Sequence, residues 1–393
     1  MSKQYKNFET VAIRTQDART DNREHSVPLY LTSSYAFNDA EQARALFAEE
    51  EQGNIYSRFT NPNATELCDK MAQLEGVEAG FATATGMAAV FASMAPFLKS
   101  GDHLIASRSV FGNTHKIITE VLPEWDIEYT YVDINKPELW EREIKPNTKM
   151  IFVETPSNPV LDIIDLEWLG KLTKKHNLLL SVDNCFATPY LQNPAKYGAD
   201  LITHSATKYI DGQGRVMGGV VLGNSELIGK VKNFAKRTGP AISPFNAWVL
   251  SKSLETLALR MEKHCENALK LAEYFEHNQE VVSVKYPFLA SHPKHDIAQK
   301  QMKLGGGLFC FELKGGLERG RRFLNALEMI SLTANLGDTR TIATHPASTT
   351  HAKLTVEERK IVGISDGLVR ISAGLEHIDD IRNDIENAIL QSK

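Results

Sequence analysis

The clearest chemical signal in the sequence is a lysine that follows a short apolar run. Lys208 ends the segment Asp200-Leu-Ile-Thr-His-Ser205-Ala-Thr-Lys208, in which the hydroxyls of Ser205 and Thr207 come just before it. A second apolar run upstream ends in the carboxylate of Asp183. Strand ends of this kind carry ligands in open α/β sheets. The order of these residues therefore predicts a ligand site built around Lys208.

These residue types suit pyridoxal phosphate (PLP). Its aldehyde forms a Schiff base with a lysine that sheds its charge easily, a role for Lys208. Its pyridine nitrogen stays protonated opposite a carboxylate, a role for Asp183. Its phosphate needs hydroxyls and N–H groups, which Ser205, Thr207 and a helix beginning near Gly86 could supply. The alternative for Lys208 is an ordinary loop lysine, while the partner motifs of a Ser-x-x-Lys nucleophile are missing.

Composition narrows the class of protein. The chain has 393 residues, a net charge of −5 and no basic run, so we expect no nucleic-acid partner. The N-terminal residues lack the apolar core of a signal peptide, and no apolar stretch is long enough to predict a membrane span. The four cysteines lie far apart, which fits neither a disulfide framework nor a zinc site. We therefore expect a cytoplasmic chain without a metal.

The order of apolar segments predicts an α/β fold in three parts. Between residues 61 and 245, strands alternate with amphipathic helices, which predicts a large domain with a mainly parallel sheet. Residues 246–393 mix strands and helices and predict a smaller α/β C-terminal domain. Residues 1–60 are largely irregular and rich in apolar side chains. They predict an N-terminal arm that docks either on the core of the same chain or on another subunit.

An arginine inside an apolar strand is a second candidate site residue. Arg370 lies in Leu368-Val-Arg370-Ile-Ser372, where a guanidinium needs a partner because burying an unpaired charge is costly. A structural ion pair would satisfy this need. A substrate carboxylate, bound by two guanidinium nitrogens, would satisfy it as well.

A set of short motifs runs through almost the whole chain: Tyr56-Ser-Arg58-x-x-Asn61-Pro, Gly86-Met87-Ala-Ala, Glu154-Thr-Pro-Ser-Asn158-Pro, Val182-Asp183-Asn184, His204-Ser205-Ala-Thr207-Lys208-Tyr209, Gly218-Gly219, Leu254-Glu-Thr-Leu257 with Arg260, and Val369-Arg370-x-Ser372-x-Gly374. Together they resemble the Cys/Met-metabolism family of PLP enzymes. That family includes cystathionine γ-synthase, cystathionine lyases, methionine γ-lyase and the homoserine-ester sulfhydrylases. The resemblance implies PLP fold type I, the aspartate aminotransferase-like fold.

The resemblance also implies how the cofactor is held. Lys208 would bind PLP and shuttle protons, and Asp183 would pair with the pyridine nitrogen. Phe111 would stack on the ring where many members have a tyrosine, and Asn158 would lie near the ring oxygen. The residues implied for the phosphate are Gly86, Met87, Ser205 and Thr207, joined by Tyr56 and Arg58 of a neighbouring subunit.

A substrate site and an assembly follow from the same resemblance. Arg370, helped by Asn335, would hold the carboxylate of an amino-acid substrate. Because Phe111 has no hydroxyl, Tyr56 becomes the phenol near the site, and we interpret it as a second catalytic residue beside Lys208. Family members are typically homotetramers built from dimers, so residues 1–60 would contact a neighbouring subunit.

Departures from the family patterns indicate a branch. Methionine γ-lyases have a cysteine where Asn113 stands, and cystathionine γ-lyases have a glutamate where Ala334 stands. The loops Asp211-Gly-Gln-Gly-Arg215 and 335–346 look most like those of the sulfhydrylases that use the succinyl ester of homoserine. Arg215 would meet the succinyl carboxylate or form a structural salt bridge.

The resemblance thus implies a γ-replacement in methionine biosynthesis: O-succinylhomoserine and sulfide would give homocysteine and succinate. Three alternatives stay open, namely cystathionine γ-synthesis with cysteine as nucleophile, a methionine or cystathionine γ-lyase, and a non-catalytic binding protein with this fold. The residues do not distinguish a succinyl ester from an acetyl or phospho ester.

Overall fold

The computed structural model describes residues 5–16, 18–350, 352 and 355–393. Residues 1–4 and 17 of the predicted arm lie outside the described part of the chain. Two β-sheets, each flanked by helices, make up the molecule.

The larger sheet contains seven strands. In chain order they are β1 (Ala79–Thr83), β2 (His103–Ser107), β3 (Glu128–Val132), β4 (Thr148–Glu154), β5 (Leu179–Asp183), β6 (Leu201–Ser205) and β7 (Gly219–Gly223). Their spatial order is β1-β7-β6-β5-β4-β2-β3. Only β7 runs against the others, because it pairs antiparallel with both β1 and β6 while the remaining pairs are parallel. The carboxyl ends of β4, β5 and β6 therefore meet at one edge.

The smaller sheet contains five strands. They are β8 (Val281–Lys285), β9 (Leu308–Leu313), β10 (Ser331–Leu332), β11 (Ile342–Thr344) and β12 (Leu368–Ser372). The order is β10-β11-β12-β9-β8, and every pair except β10 with β11 is antiparallel. Arg370 lies in β12, opposite Thr344 of β11.

The α-helices are α1 (Phe8–Arg14), α2 (Ala40–Phe47), α3 (Pro62–Glu75), α4 (Gly86–Met94), α5 (Gly112–Lys116), α6 (Pro137–Arg142), α7 (Leu166–Lys175), α8 (Thr188–Leu191), α9 (Ser225–Thr238), α10 (Pro244–Leu254), α11 (Leu257–Glu276), α12 (His295–Gln301), α13 (Gly316–Ala326), α14 (Val356–Ile361) and α15 (Ile378–Gln391). No described helix is both long and apolar enough to cross a membrane.

The ends of α3 show how the sequence sets a helix. Asn61 caps its start, because the side-chain oxygen accepts a hydrogen bond from the N–H of Asn63 at 3.0 Å, and Pro62 suits the first turn. Gly76 ends it with a φ of 76°, a left-handed conformation that glycine adopts without strain. The last residue of the helix, Glu75, is thereby placed under the large sheet.

The core lies on both faces of the large sheet. The central residues of β4, Met150, Ile151 and Phe152, are fully buried. Burying each such side chain stabilises the fold by about 1.5–3 kcal/mol. Helices α4 and α9 pack on one side, and α3 and α10 pack on the other. This core fixes the strands whose ends carry the candidate residues.

The predicted α/β architecture is confirmed, with one addition in the N-terminal arm. The sequence pattern does not predict α1, which packs on α3 and buries Val11 and Ala12. Part of the arm thus docks on its own chain. The boundary placed at residue 245 stays a prediction. It falls within the first turn of α10, which packs on α3.

In the smaller unit, one buried carboxylate fixes the turn that follows α13. Asp384 of α15 accepts hydrogen bonds from the N–H groups of Glu328, Met329 and Ile330 at 2.9, 3.1 and 2.8 Å. Carboxylates that accept several backbone N–H bonds are strong structural links.

Candidate active site

A cavity of about 470 Å³ opens at the carboxyl edge of the large sheet. It brings together side chains from both sheets. Its walls are formed by Thr85, Gly86, Met87, Val90, Phe111, Gly112, Asn113, Thr114, Glu154, Asn158, Asp183, Cys185, Phe186, Ser205, Thr207, Lys208, Ala334, Leu336, Thr350 and Arg370. The cavity thus contains most of the candidate residues.

Lys208 follows β6 and extends an amine into this cavity. Its Nζ donates a hydrogen bond to Oδ1 of Asn335 at 2.7 Å. Burial lowers the pKa of the Lys208 amine, and the charge of Arg370 lowers it further. A larger fraction of the amine is therefore neutral, as a nucleophile or base requires. The sequence predicted Asn335 beside Arg370, and its backbone oxygen does accept a hydrogen bond from Arg370, while its side chain contacts Lys208.

The backbone that follows Lys208 is held from two sides. Arg260 donates to the carbonyl oxygens of Tyr209 and Ile210 at 2.5 and 3.1 Å. On the other side Gly337 packs so closely that a Cβ there would lie 2.7 Å from the nitrogen of Tyr209. Both contacts fix the direction in which Lys208 leaves the strand.

Asp183 ends β5 and lines the same cavity as Lys208. Its Oδ1 accepts a hydrogen bond from the N–H of Cys185 at 3.0 Å. Burial raises the pKa of the Asp183 carboxyl to about 6, although this N–H and the charge of His204 act in the opposite direction. A positively charged partner would therefore stabilise the charged form of this carboxylate.

A buried carboxylate beneath the sheet fixes the ends of β5 and β6. Oε1 of Glu75 lies 2.6 Å from Nε2 of His204 and accepts a hydrogen bond from Nδ2 of Asn184 at 2.8 Å. His204 directly precedes Ser205, and Asn184 directly follows Asp183. Glu75 thus anchors both strand ends to α3.

The start of α4 lines the cavity and could bind an anion there. A Cβ on Gly86 would lie 2.4 Å from Cβ of Ser205, so only glycine allows this approach. Thr85 caps the helix by accepting a hydrogen bond from the N–H of Ala88 at 3.1 Å. The first turn, with Met87, presents backbone N–H groups where a phosphate would be favoured. The hydroxyl of Thr207 lies nearby and accepts a bond from the N–H of Gly218 at 3.2 Å.

Arg370 is buried, with 4% of its surface exposed. Nη1 donates to Oδ1 of Asn158 at 2.8 Å and Nη2 donates to the backbone oxygen of Asn335 at 3.2 Å. These two partners in the described chain are neutral oxygens rather than carboxylates, and the Nε has no partner there. Burial lowers the pKa of the guanidinium. The structural ion pair is therefore not formed within the described residues, and a carboxylate ligand fits.

Tyr56 and Arg58 do not reach the cavity of their own chain. The ring of Tyr56 is 41% exposed. The guanidinium of Arg58 lies 4.6 Å from the ring centre of Phe59 and donates to the backbone oxygen of Lys236. If Tyr56 and Arg58 contact PLP, they must contact the PLP site of another subunit.

Arg215 also lies away from the cavity walls. Its Nε donates to Oδ1 of Asp211 at 3.0 Å, and its backbone N–H donates to Oδ2 at 2.7 Å. Arg215 therefore forms the structural salt bridge rather than a cavity contact. The same loop meets the loop at 335–346, because Arg340 donates to the oxygen of Gln213 at 3.0 Å.

One ionisable group of the cavity and one buried hydroxyl beside Arg370, which is not part of the cavity walls, were not assigned a role from the sequence. Glu154 ends β4 and lies beside Asp183, so the strand-end rule that marked Asp183 would have found it. Thr344 lies opposite Arg370 across β11 and β12. Its hydroxyl is buried and has no partner among the described residues. No spacing in the sequence marks that threonine.

The groups in the cavity fit PLP. Asp183 ends β5, and Lys208 follows the adjacent strand β6. The amine of Lys208 can bind the aldehyde of PLP, and the carboxylate of Asp183 can pair with a protonated ring nitrogen. A helix N-terminus and hydroxyls lie at the other end for a phosphate, and the ring of Phe111 forms a wall. Arg370 lines the cavity and its Nε has no partner among the described residues, so its guanidinium could bind a substrate carboxylate.

Lowering the pH from about 7.5 to about 5 should weaken PLP binding to the apoprotein by about tenfold or more. The pKa of Asp183 is about 6, so its carboxylate is charged above that pH and neutral below it. Only the charged form stabilises a protonated pyridine nitrogen. Affinity can be measured by titration with PLP, followed by visible circular dichroism.

The control is Asp183→Asn, which keeps the shape of the side chain and removes its charge. The variant should bind PLP more weakly at neutral pH and show a flatter pH dependence. Equal affinity and an equal pH slope in both proteins would contradict the pairing of Asp183 with the ring.

Comparisons with known proteins agree over nearly the whole chain. The family model described as Cys/Met metabolism PLP-dependent enzyme matches residues 9–390. An O-succinylhomoserine sulfhydrylase from Pseudomonas aeruginosa is 45% identical over 382 residues, which are 97% of this chain and 95% of that protein. An L-methionine gamma-lyase from Fusobacterium nucleatum subsp. polymorphum is 44% identical over 367 residues, which are 93% of each protein.

A solved structure agrees as well. A Campylobacter jejuni protein that contains N'-pyridoxyl-lysine-5'-monophosphate superposes with a TM-score of 0.94 at 35% identity, covering 98% of this chain and 100% of that one. The predictions of PLP fold type I and of PLP as cofactor are therefore confirmed. The chain belongs to the Cys/Met-metabolism family of PLP-dependent enzymes.

Proposed function

We propose that the enzyme catalyses γ-replacement on an O-acylated homoserine, with O-succinylhomoserine and sulfide giving homocysteine and succinate. The identities of 45% and 44% to a sulfhydrylase and a γ-lyase do not separate the two activities. The observation that carries the proposal is the pair Asn113 and Ala334. Both lie in the cavity wall. The family resemblance implies a cysteine at the first position in methionine γ-lyases and a glutamate at the second in cystathionine γ-lyases.

A methionine γ-lyase is the second candidate, because a relative of that name is nearly as similar. Cystathionine γ-synthesis differs from the proposed reaction only in the nucleophile, cysteine instead of sulfide. Discrimination of this kind depends on a few kcal/mol of pocket contacts.

The chemistry divides between the cofactor and the chain. Bound PLP supplies an electron sink that stabilises charge left on the substrate when its protons are removed. Lys208 acts as the base, because burial favours its neutral amine, and Asn335 orients that amine. The neutral amine takes the Cα proton and releases it again, and only then, as a neutral base once more, does it take a Cβ proton, after which succinate leaves from Cγ as a carboxylate. Sulfide then forms the new C–S bond at Cγ, and Lys208 returns protons to Cβ and Cα.

Other residues hold the reactants. Asp183 keeps its negative charge opposite the pyridine nitrogen, and Arg370 holds the substrate carboxylate. Because Oδ1 of Asn158 accepts from Arg370, the amide nitrogen of Asn158 is left to donate to the ring oxygen of PLP. Phe111 covers the ring. The phosphate contacts are assigned to Gly86, Met87, Ser205 and Thr207.

The arm completes the site in this proposal. Tyr56 and Arg58 would contact the phosphate of a neighbouring subunit, since they do not reach their own cavity, and Tyr56 would bring a phenol near the substrate. Residues 1–60 would then join subunits into a homotetramer of two dimers. The enzyme would work in the cytoplasm in methionine biosynthesis.

A product assay separates the candidate reactions. Purified holoenzyme would receive O-succinylhomoserine with sulfide, with cysteine, or with neither, and products would be measured by chromatography. The proposal predicts homocysteine from sulfide at a kcat/KM about tenfold or more above that for cystathionine from cysteine. A Lys208→Ala protein is the matched control for background chemistry.

Two results would overturn the proposed reaction. Faster formation of cystathionine would assign the enzyme to the synthase branch. Release of 2-oxobutyrate and ammonia at one rate whatever nucleophile is present would assign it to the γ-lyases.

Mixing two inactive variants tests the shared site. Lys208→Ala and Arg58→Ala proteins should each have little activity. In a mixed dimer, one of the two sites would contain both native residues, so an equal mixture after subunit exchange should regain about a quarter of wild-type activity. Unchanged low activity in a mixture whose subunits have exchanged, as native mass spectrometry would verify, would contradict the role of the arm.

A further inference from the structure

Glu154 is a buried ionisable group of the cavity that the proposed chemistry does not use. It is the last residue of β4, and its backbone is in register with that of Asp183 in β5. Only 4% of its surface is exposed. Burial and the charge of Asp183 raise the pKa of the Glu154 carboxyl well above its usual value. Burying a charged carboxylate costs free energy, so the contacts that hold Glu154 need an explanation.

Both oxygens of Glu154 accept hydrogen bonds from the backbone. Oε2 accepts from the N–H of Phe111 at 2.8 Å, and Oε1 accepts from the N–H of Asn158 at 2.9 Å. The two donors belong to different segments, one at the start of α5 and one in the loop after β4. A single side chain therefore links the two walls that would flank the cofactor ring.

Phe111 depends on this link. It precedes the short helix α5, no side chain caps that helix, and 41% of the phenylalanine surface is exposed. The neighbours of this residue therefore cover it only in part. The bond from its N–H to Glu154 fixes the backbone from which the ring projects.

The second bond leads to the substrate site. Asn158 accepts from Arg370 at 2.8 Å, and Arg370 donates to the backbone of Asn335 at 3.2 Å. Asn335 in turn accepts from Lys208 at 2.7 Å. Glu154 therefore stands at one end of a continuous hydrogen-bonded chain that ends at the amine of Lys208.

The chemistry of the two contacts requires a carboxylate. Both partners are N–H donors, and a carboxylate offers two acceptor oxygens, whereas the amide of glutamine offers one acceptor and one donor. In a glutamine variant one N–H would face the NH₂ group and lose its partner. Glutamine would avoid the cost of a buried charge but could not hold both walls.

We propose that Glu154 is a positioning residue that sets the place of the cofactor ring through Phe111 and of the substrate carboxylate through Asn158 and Arg370. The proposal rests on the assignment of this cavity as the PLP site. It does not depend on which ester or nucleophile the enzyme uses. A merely structural Glu154 would affect stability alone.

The test compares Glu154→Gln with a matched variant, Asp384→Asn. Asp384 is also a buried carboxylate that accepts backbone N–H bonds, and it is not part of the cavity walls. Both variants should lower the melting temperature. Only Glu154→Gln should raise the Kd of the apoprotein for PLP and the KM for the amino-acid substrate, each by about 10- to 100-fold. It should also weaken the visible circular dichroism of bound PLP.

The result that would overturn the proposal is a Glu154→Gln protein that behaves like Asp384→Asn, with a lower melting temperature and unchanged Kd, KM and circular dichroism. If Glu154→Gln does not fold, Glu154→Asp provides the same readings, because it keeps both acceptors but shortens their reach by about 1.5 Å. Failure of the wild-type protein to bind PLP would instead contradict the site assignment.

Discussion

The constraint on which this site depends is the cost of burying charged groups without opposite charges. Arg370 is almost fully buried and is held by neutral oxygens of Asn158 and Asn335. Burial lowers the pKa of Lys208 and raises that of Asp183. The charged form of each group is therefore less stable in the protein than it would be in water. A protonated cofactor ring would supply a positive charge opposite Asp183, and a substrate carboxylate would supply a negative charge opposite Arg370. Binding of the cofactor and the substrate would therefore pair charges that folding alone leaves unpaired.

The parallel sheet provides the edge at which these groups meet, and buried carboxylates hold that edge in place. Glu75 fixes the strand ends that carry Asp183 and Ser205 from beneath the sheet. Glu154 holds the two walls above it. Neither carboxylate is paired with a lysine or an arginine in the described chain; both act through hydrogen bonds. The precision of the site thus comes from residues outside the proposed reaction.

Much of the site could be predicted because strand ends carry ligands. That rule placed Lys208 and Asp183 at one edge, and the cost of a buried charge marked Arg370. The same rule would have marked Glu154 as a residue of this edge but not its role, because its partners are backbone N–H groups, one of which belongs to Phe111, 43 residues away. Side-chain patterns do not show such contacts. Helix α1 was not predicted because it has only seven residues and depends on packing against α3.

The central claim is that Lys208 is the residue to which the cofactor is bound. Reduction of the holoenzyme with borohydride, followed by proteolysis and mass spectrometry, tests it directly. We expect one pyridoxyl-modified peptide, which contains Lys208. Modification of a different lysine would contradict the account, and so would a holoenzyme without any modified peptide.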